Sequence, residues 1–543
     1  MKKKAFLVLA VFLLLIPDLL FNYINNSFLE ALVIILSKIT IFLILLSLIS
    51  FLTKSYYRSS IIVGSVYLFS MLGETTNIVV LKQYLTMDNL KALVYTNTNE
   101  SLEFVSNFKW LFFSLLLFLC FIIYLIKESK RLNLKFEISK NFKILGICFF
   151  VLLICIFIRL KNSEQFDSGK NLLKYSFKQY ILKEHPFNLY YRTYEVFYYK
   201  RKTDNLKEKR HKFSFQVTKS TSKTETPDIV VFVIGEGMRS AQWNLNGYHR
   251  MTSPELNKIK NLISYKNHFS NGNSTSASIP LIITEATPEN ANLSFSEKSI
   301  LSLYKEAGYE TNWISSQNIF YLENENEPDH IFKIFEKKSH TDLDVLPVLK
   351  SVAAQKSKKK KFILINLIGN HGTVPESFKL FKPNAANAIE GIKSKNALIN
   401  QYDNKILLQD YVLSQIIKCI DLKDQKAFLM FTADHGVNLY DTKNETLFGY
   451  GSSNPTKYEL NIPMFFWGST NYCNIYKDKI EQLKANQTKR TVNNNLFYTL
   501  SDLSNITYKG FLANKSFCNS KFKENEFISV YMNGSSLKYN YRN

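Results

Sequence analysis

The sequence is poor in the residues that punctuate or crosslink a chain. Of 543 residues only 12 are Pro and 18 are Gly, which excludes a collagen-like or low-complexity fibre. Six Cys in this length exclude a disulfide-dense scaffold. Negative charge is the scarcer sign, with 45 Asp and Glu against 68 Lys and Arg and a formal net charge of +23. What abounds is apolar: 46% of residues are hydrophobic, including 43 Phe and 31 Tyr, and that excludes a disordered chain. At roughly 150 residues per domain the length allows two to four units. The basic excess raises nucleic acid as a partner, so where it lies along the chain decides its meaning.

Apolar runs long enough to cross a bilayer, about 17–25 residues each, crowd the first third. They are Ala5–Asn25, Leu29–Leu52, Ser59–Val80, Trp110–Ile126 and the shorter Ile144–Ile158. The first follows Lys2, Lys3 and Lys4 as a signal peptide would, but Pro17–Asn22 offers no small-residue cleavage site, so a retained span is expected. Basic residues then cluster before the first run, at Lys54 and Arg58, and between Lys127 and Lys143. With five spans all three clusters fall on one side, the cytoplasmic one. The chain from about Arg159 onward is then expected outside the cytoplasm. Much of the positive charge thus has a topological origin, and no nucleic-acid partner is expected.

The expected domains are a five-span transmembrane region over 1–160, a juxtamembrane part over 161–226 and a soluble domain over 227–543. Within the second, Lys170–Lys202 interleaves Tyr and Phe with Lys and Arg, a pattern suited to interfacial helices at the headgroup layer. Thr203–Thr226 is polar without an apolar period and is expected to be a linker. Of the cysteines, Cys120, Cys148 and Cys155 lie in apolar runs; the remaining three permit one disulfide, with Cys473–Cys518 the expected pair.

From Pro227 the texture changes to short unalternating apolar runs. Ile229–Ile234, Phe362–Ile368, Ala427–Phe431 and Ile462–Trp467 fit strands buried on both faces. Ser299–Ala307 and Asn404–Leu422 look helical between them, an alternation that argues for an α/β domain around a mostly parallel sheet. Three of the strands end alike, delivering Glu236, His371 or Asp434-His435 beside a Gly. In open α/β sheets the ligand crevice lies outside those carboxyl ends. Two carboxylates and an imidazole from Glu236, Asp434 and His435 form a donor set suited to Zn2+. The loop Asn271–Pro280 could bring a hydroxyl to the same point, where a metal would lower its pKa and make it a nucleophile. By composition Ser274, Thr275, Ser276 or Ser278 could serve.

These residues, in this order and behind five apolar runs, resemble the bacterial phosphoethanolamine transferases. Gly235-Glu236-Gly237-Met238-Arg239, followed by Leu245–Leu256, is similar to the family's G-E-x-x-R…L-x-G-Y-x-R-x-T-x-P-x-L signature. Ser274–Pro280 resembles its nucleophile loop, Asn366–Gly372 its M-x-G-S-H-G segment, and Thr432–Gly436 its S-D-H-G segment. Tyr402–Leu407 resembles Y-D-N-x-I-x, and Thr96–Glu100 the T-N-x-x-E of the membrane portion. The resemblance implies an α-helical transmembrane region plus a sulfatase-like α/β periplasmic domain, in the bacterial inner membrane. It implies Thr275 as nucleophile and Zn2+ held by Glu236, Thr275, Asp434 and His435. His371 would act as general acid/base or hold a phosphoryl oxygen. Thr96 and Glu100 would meet the donor headgroup. The implied reaction moves phosphoethanolamine from phosphatidylethanolamine to a lipopolysaccharide (lipid A or core) or another envelope glycan, through a phosphothreonine-type intermediate, releasing diacylglycerol.

The chain also departs from the lipid-A-modifying members of that family. Asn271 and Leu281 stand where those carry paired Cys, Val437-Asn438 where a Glu follows D-H-G, Phe448 where a second His is found, and Ala92 in place of an Asn. Trp313–Gln317 looks closer to the W-I-S-N-Q of the core- or glycan-modifying branch. A phosphoglycerol transferase of the teichoic-acid type is the rival reading within the superfamily, disfavoured by Leu245–Arg250. A catalytically inactive membrane scaffold is the rival outside enzymes, and it would hold no stoichiometric zinc.

Overall fold

The computed structural model describes residues 15–25, 28–95, 116, 120, 123, 136–161, 172–218, 226–317, 327–337, 339–355, 359–381, 395–441 and 448–540. The chain groups into two compact units, one of Met1–Leu90 with Ser101–Tyr198 and the other of Lys91–Glu100 with Tyr199–Asn543.

The first unit is helical. Among the described residues three helices are long and apolar enough to cross a bilayer: Phe28–Thr53, Tyr56–Val79 and Ile138–Lys161. Two of the five expected spans are not tested by this: the first is described only from Leu15, and most of Trp110–Ile126 lies outside the described residues. Ser55 caps the helix Tyr56–Leu81, accepting from the Arg58 N–H, and Lys82 ends it in the left-handed region at φ 57°. Charged residues inside this unit find one another. Lys38 Nζ, wholly buried, lies 2.5 Å from Glu184 Oε2 and 3.8 Å from Asp18 Oδ1. Arg159 meets the other Glu184 oxygen at 2.5 Å, and His185 Nδ1 meets Asp18 Oδ2 at 3.0 Å. Nearby, Glu74 accepts from the Leu85 N–H and from Asn188 Nδ2.

The polar stretch expected as a linker from Thr203 is instead helical as far as Lys212, in a helix that begins at Asn188. Exposed charge pairs at helical spacing, Lys207–Asp204 and Lys212–Glu208, support it without any apolar stripe. Residues 219–225 lie outside the described set.

The second unit is built on a seven-stranded sheet. Its strands are β1 (Ile229–Gly235), β2 (Leu262–Tyr265), β3 (Glu310–Ser315), β4 (His330–Lys333), β5 (Lys361–Asn366), β6 (Ala427–Ala433) and β7 (Met464–Gly468). The order is β2-β7-β6-β1-β5-β3-β4. The five strands from β6 to β4 are parallel, while β7 runs antiparallel to both β6 and β2. The run Ile462–Trp467 is therefore a strand, but the reversed one. Every residue of β1 is buried, and its side chains divide by the period of two between both faces. Val230, Phe232 and Ile234 join one core with Phe362 and Leu364; Ile229, Val231 and Val233 join the other with Ile363 and Ile365. That double burial is why the strand carries no polar alternation. The expected helices appear as Ile300–Glu306 and Lys395–Ile420.

The expected Cys473–Cys518 disulfide is absent, and both thiols are free. Cys518 Sγ is engaged with Ser516 Oγ and the Thr499 carbonyl, and Cys473 Sγ with the Gly468 carbonyl, so each sulfur is committed elsewhere.

Candidate active site and metal centre

The carboxyl ends of the central parallel strands converge as the order β6-β1-β5 requires. β1 delivers Glu236, β6 delivers Asp434 and His435, and the turn after β5 delivers His371. Close backbone packing sets the turns. Gly369 sits at φ +50°, and a Cβ there would lie 2.5 Å from the Glu236 carbonyl oxygen. A Cβ on Gly436 would meet the Tyr458 carbonyl.

Glu236, Asp434 and His435 are all buried, and one ligand atom from each lies within 4.8 Å of the others. Thr275, the first residue of the helix Thr275–Ile283, completes the group. Its hydroxyl lies 3.1 and 3.0 Å from the two Glu236 oxygens and 3.2 Å from His435 Nε2. Of the other loop hydroxyls, Ser278 Oγ faces Ser270 at 3.1 Å, and Ser274 Oγ is buried without a hydrogen bond among the described residues. His371 Nε2 stands 3.4 Å from Glu236 Oε1, with 26% of its side chain exposed. Thr96 and Glu100 lie outside the described residues.

The donor atoms fit a cation. Asp434 Oδ1 accepts two backbone N–H groups, from Gly237 at 3.0 Å and His435 at 2.7 Å. Its Oδ2 accepts none among the described residues and lies 3.4 Å from His435 Nε2. An orphaned carboxylate oxygen in a dry site is costly unless a cation or proton meets it. His435 Nδ1 lies 2.9 Å from the Gly436 carbonyl, which fixes Nδ1 as the donor and leaves the Nε2 lone pair facing the cluster. The electrostatics carry the same message. Burial, then the charge of Glu236, push Asp434 up to about 7. Burial works against a charged His435, yet Asp434 and Glu236 raise it to about 9. Burial likewise opposes ionised Glu236, but hydrogen bonds from His371 and His435 hold it well below the usual carboxylate range. The cluster attracts positive charge.

One residue that the sequence offered only as part of the Trp313–Gln317 resemblance, with no role at the site, belongs to it. Gln317 Nε2 donates to Glu236 Oε2 and to the Leu367 carbonyl, both at 2.8 Å, and so aims the carboxylate. It follows β3 as Glu236 follows β1. The same strand-end signal would have found it had β3 been recognised.

Residues 228–506 match the family described as Sulfatase. Among curated proteins, the phosphoethanolamine transferase EptC of Escherichia coli (strain K12) is 27% identical over 317 residues, 55% of this chain and 54% of that protein. The chain thus spans about half the length of the curated relatives it matches. Among solved structures, the C-terminal periplasmic domain of E. coli EptC in complex with Zn has a TM-score of 0.52 at 26% identity, covering 58% of this chain and 93% of that one. The integral membrane lipooligosaccharide phosphoethanolamine transferase A of Neisseria meningitidis has a TM-score of 0.73, covering 94% of this chain and 98% of that one. At 16% identity this last likeness is one of fold.

Proposed function

Because the chain belongs to the sulfatase family, we propose that it is a membrane-anchored, metal-dependent phosphoethanolamine transferase. The observation that carries this is the Thr275 hydroxyl at 3.0 Å from Glu236 and 3.2 Å from His435. Beside it lies the orphaned Asp434 oxygen. The names of the similar proteins supply the group transferred.

In the first half-reaction Thr275 Oγ1 attacks the phosphorus of phosphatidylethanolamine. The Oγ1–P bond forms as the bond from phosphorus to the diacylglycerol oxygen breaks. Glu236 accepts the hydrogen bond of Thr275, orients its oxygen and takes its proton as the Oγ1–P bond forms. His371, the most open group of the cluster, hands a proton to the departing oxygen. In the second half-reaction a hydroxyl or phosphate oxygen of the acceptor attacks the same phosphorus as the Oγ1–P bond breaks. Thr275 regains its proton from Glu236, and the proton of the acceptor hydroxyl, or one from solvent where a phosphate attacks, returns to His371. A divalent cation held by Glu236, Asp434, His435 and the Thr275 oxygen would lower the pKa of that hydroxyl and offset the charge of the phosphoryl oxygens. Two carboxylates with one imidazole favour Zn2+ for the role.

The donor is membrane-bound, and the apolar helices of the first unit are suited to anchoring the chain in the bilayer that holds it. Five spans with the second unit in the periplasm of a Gram-negative cell remain our topology, over domains 1–160, 161–226 and 227–543. Thr96 and Glu100 are assigned to the ethanolamine end of the donor. The acceptor is lipid A, core or another envelope glycan.

The purified full-length chain, incubated in detergent micelles with headgroup-labelled phosphatidylethanolamine, tests the reading. It should release diacylglycerol and gain one phosphoethanolamine on the peptide bearing Thr275, and Thr275→Ala should do neither. Label on another residue of the loop would displace Thr275. Release of diacylglycerol without any labelled peptide would overturn the covalent route.

A further inference from the structure

The site holds one more aromatic residue beside its histidines. Tyr450 lies 79 positions from His371 along the chain, yet its ring lies against two of the site imidazoles. The ring centroid is 4.2 Å from that of His435, inclined at 36°, and 6.0 Å from that of His371, nearly edge-on at 76°. Its hydroxyl is 3.4 Å from His371 Nε2. The same nitrogen lies 3.4 Å from Glu236 Oε1, so the phenol and the carboxylate flank one imidazole nitrogen.

The segment bearing Tyr450 is built to hold that ring in place. Gly449 and Gly451 on either side have φ of +93° and +75°, left-handed conformations that let the backbone turn sharply around one side chain. Before the ring, Phe448–Gly449 pairs with Asn438–Leu439, directly after His435. After it, the Gly451 N–H donates to the Asn273 carbonyl at 2.9 Å, two residues from Thr275. Ser452 then donates through both its N–H and its hydroxyl to Glu459. The segment is thus tied at one end to the histidine strand and at the other to the nucleophile loop.

We propose that Tyr450 is a positioning residue for the transfer: its hydroxyl fixes the imidazole of His371 so that Nε2 faces the oxygen leaving phosphorus, while its ring backs His435. This rests on the role given to His371 above. The hydroxyl contact is one of those that set the imidazole, so its loss shifts Nε2 relative to the reacting oxygen, and a misplaced acid costs rate rather than substrate affinity.

The test is a double-mutant cycle in the full-length chain, using headgroup-labelled phosphatidylethanolamine in micelles and measuring kcat, KM and bound zinc. Tyr450→Phe keeps the ring and should lower kcat by about 10- to 100-fold, with KM for the donor and zinc content unchanged. His371→Ala should lower kcat at least as much. In the His371→Ala background, Tyr450→Phe should cost nothing further, because the group it positions is gone. Independent, multiplying losses, or a Tyr450→Phe enzyme at the wild-type rate, would overturn the proposal. A raised KM with unchanged kcat would also do so. Full activity in His371→Ala would instead overturn the parent reading of His371, which keeps the two failures apart.

Discussion

Both units bury charged side chains, and they balance them differently. In the helical unit the carboxylates of Asp18 and Glu184 face Lys38, Arg159 and His185, so each negative group meets a cation made by the chain itself. In the sheet unit, among the described residues, the carboxylates of Glu236 and Asp434 meet no Lys or Arg and have as ionisable partners the imidazoles of His371 and His435. One Asp434 oxygen there accepts no hydrogen bond among the described residues. The first arrangement is closed: its charges tie the segment at Glu184-His185 to the long helices and leave nothing to bind. The second is open and short of positive charge. Burial alone does not mark a functional site; uncompensated burial does.

That contrast can be broken most sharply by mutation. The largest effect is expected at the open site: Thr275→Ala should reduce donor cleavage by at least about a thousandfold, measured as diacylglycerol release, with the unfolding midpoint unchanged. Next comes the closed network, where Lys38→Met takes from Asp18 and Glu184 one of the two cations each faces, leaving His185 and Arg159, and should cost up to about 3–5 kcal/mol of stability in detergent. Asp434→Asn should have the opposite sign. In chelator-treated protein it removes a buried carboxylate next to Glu236, and stability should rise by about 1–4 kcal/mol. Because the folded Asp434 titrates at about 7, above its unfolded value, its ionisation weakens the cation-free fold fully above that pH. The penalty fades as pH falls below it, so the gain from Asn should shrink on acidification. Equal signs for Lys38→Met and Asp434→Asn would erase the distinction between the two sets.

Smaller effects sharpen it further. His435 ligates only when neutral, and its raised value of about 9 means that a cation must displace a proton at neutral pH. Zinc affinity, measured by chelator competition, should therefore fall as pH drops from about 9 to about 7, by up to tenfold per unit for each proton displaced. A flat profile would take His435 out of the ligand set. The smallest effect belongs to Glu100→Gln. An exposed ion pair is worth about 0.2–1 kcal/mol, so KM for the donor should rise about fivefold at most, with zinc content unchanged. An unchanged KM would leave Glu100 without a role in donor binding.

How much of this was legible in the sequence follows from where burial acts. β1, β5 and β6 stand out because both faces are covered and the apolar run is unbroken, and the residue after each strand is then exposed as a candidate. β3 was invisible for the converse reason. Thr311 and Asn312 are polar yet fully or almost fully buried, so the run looks broken, and Gln317, named only within the Trp313–Gln317 resemblance, was given no place at the site. Tyr450 carries no local signal at all, since its neighbours come from separate loops. The closed charge network was equally hidden. Asp18 and Lys38 are single charges within apolar runs, and only tertiary structure pairs them. The disulfide expectation failed because counting cysteines says nothing of where each sulfur points.

The most direct test is the metal content of the purified full-length chain, read by elemental analysis before and after chelation and alongside diacylglycerol release. The account predicts one zinc per chain, lost together with activity on chelation and in Asp434→Asn and His435→Ala, and restored to the wild type by Zn2+. Undiminished release by chelated protein, or stoichiometric zinc retained in both variants, would contradict it.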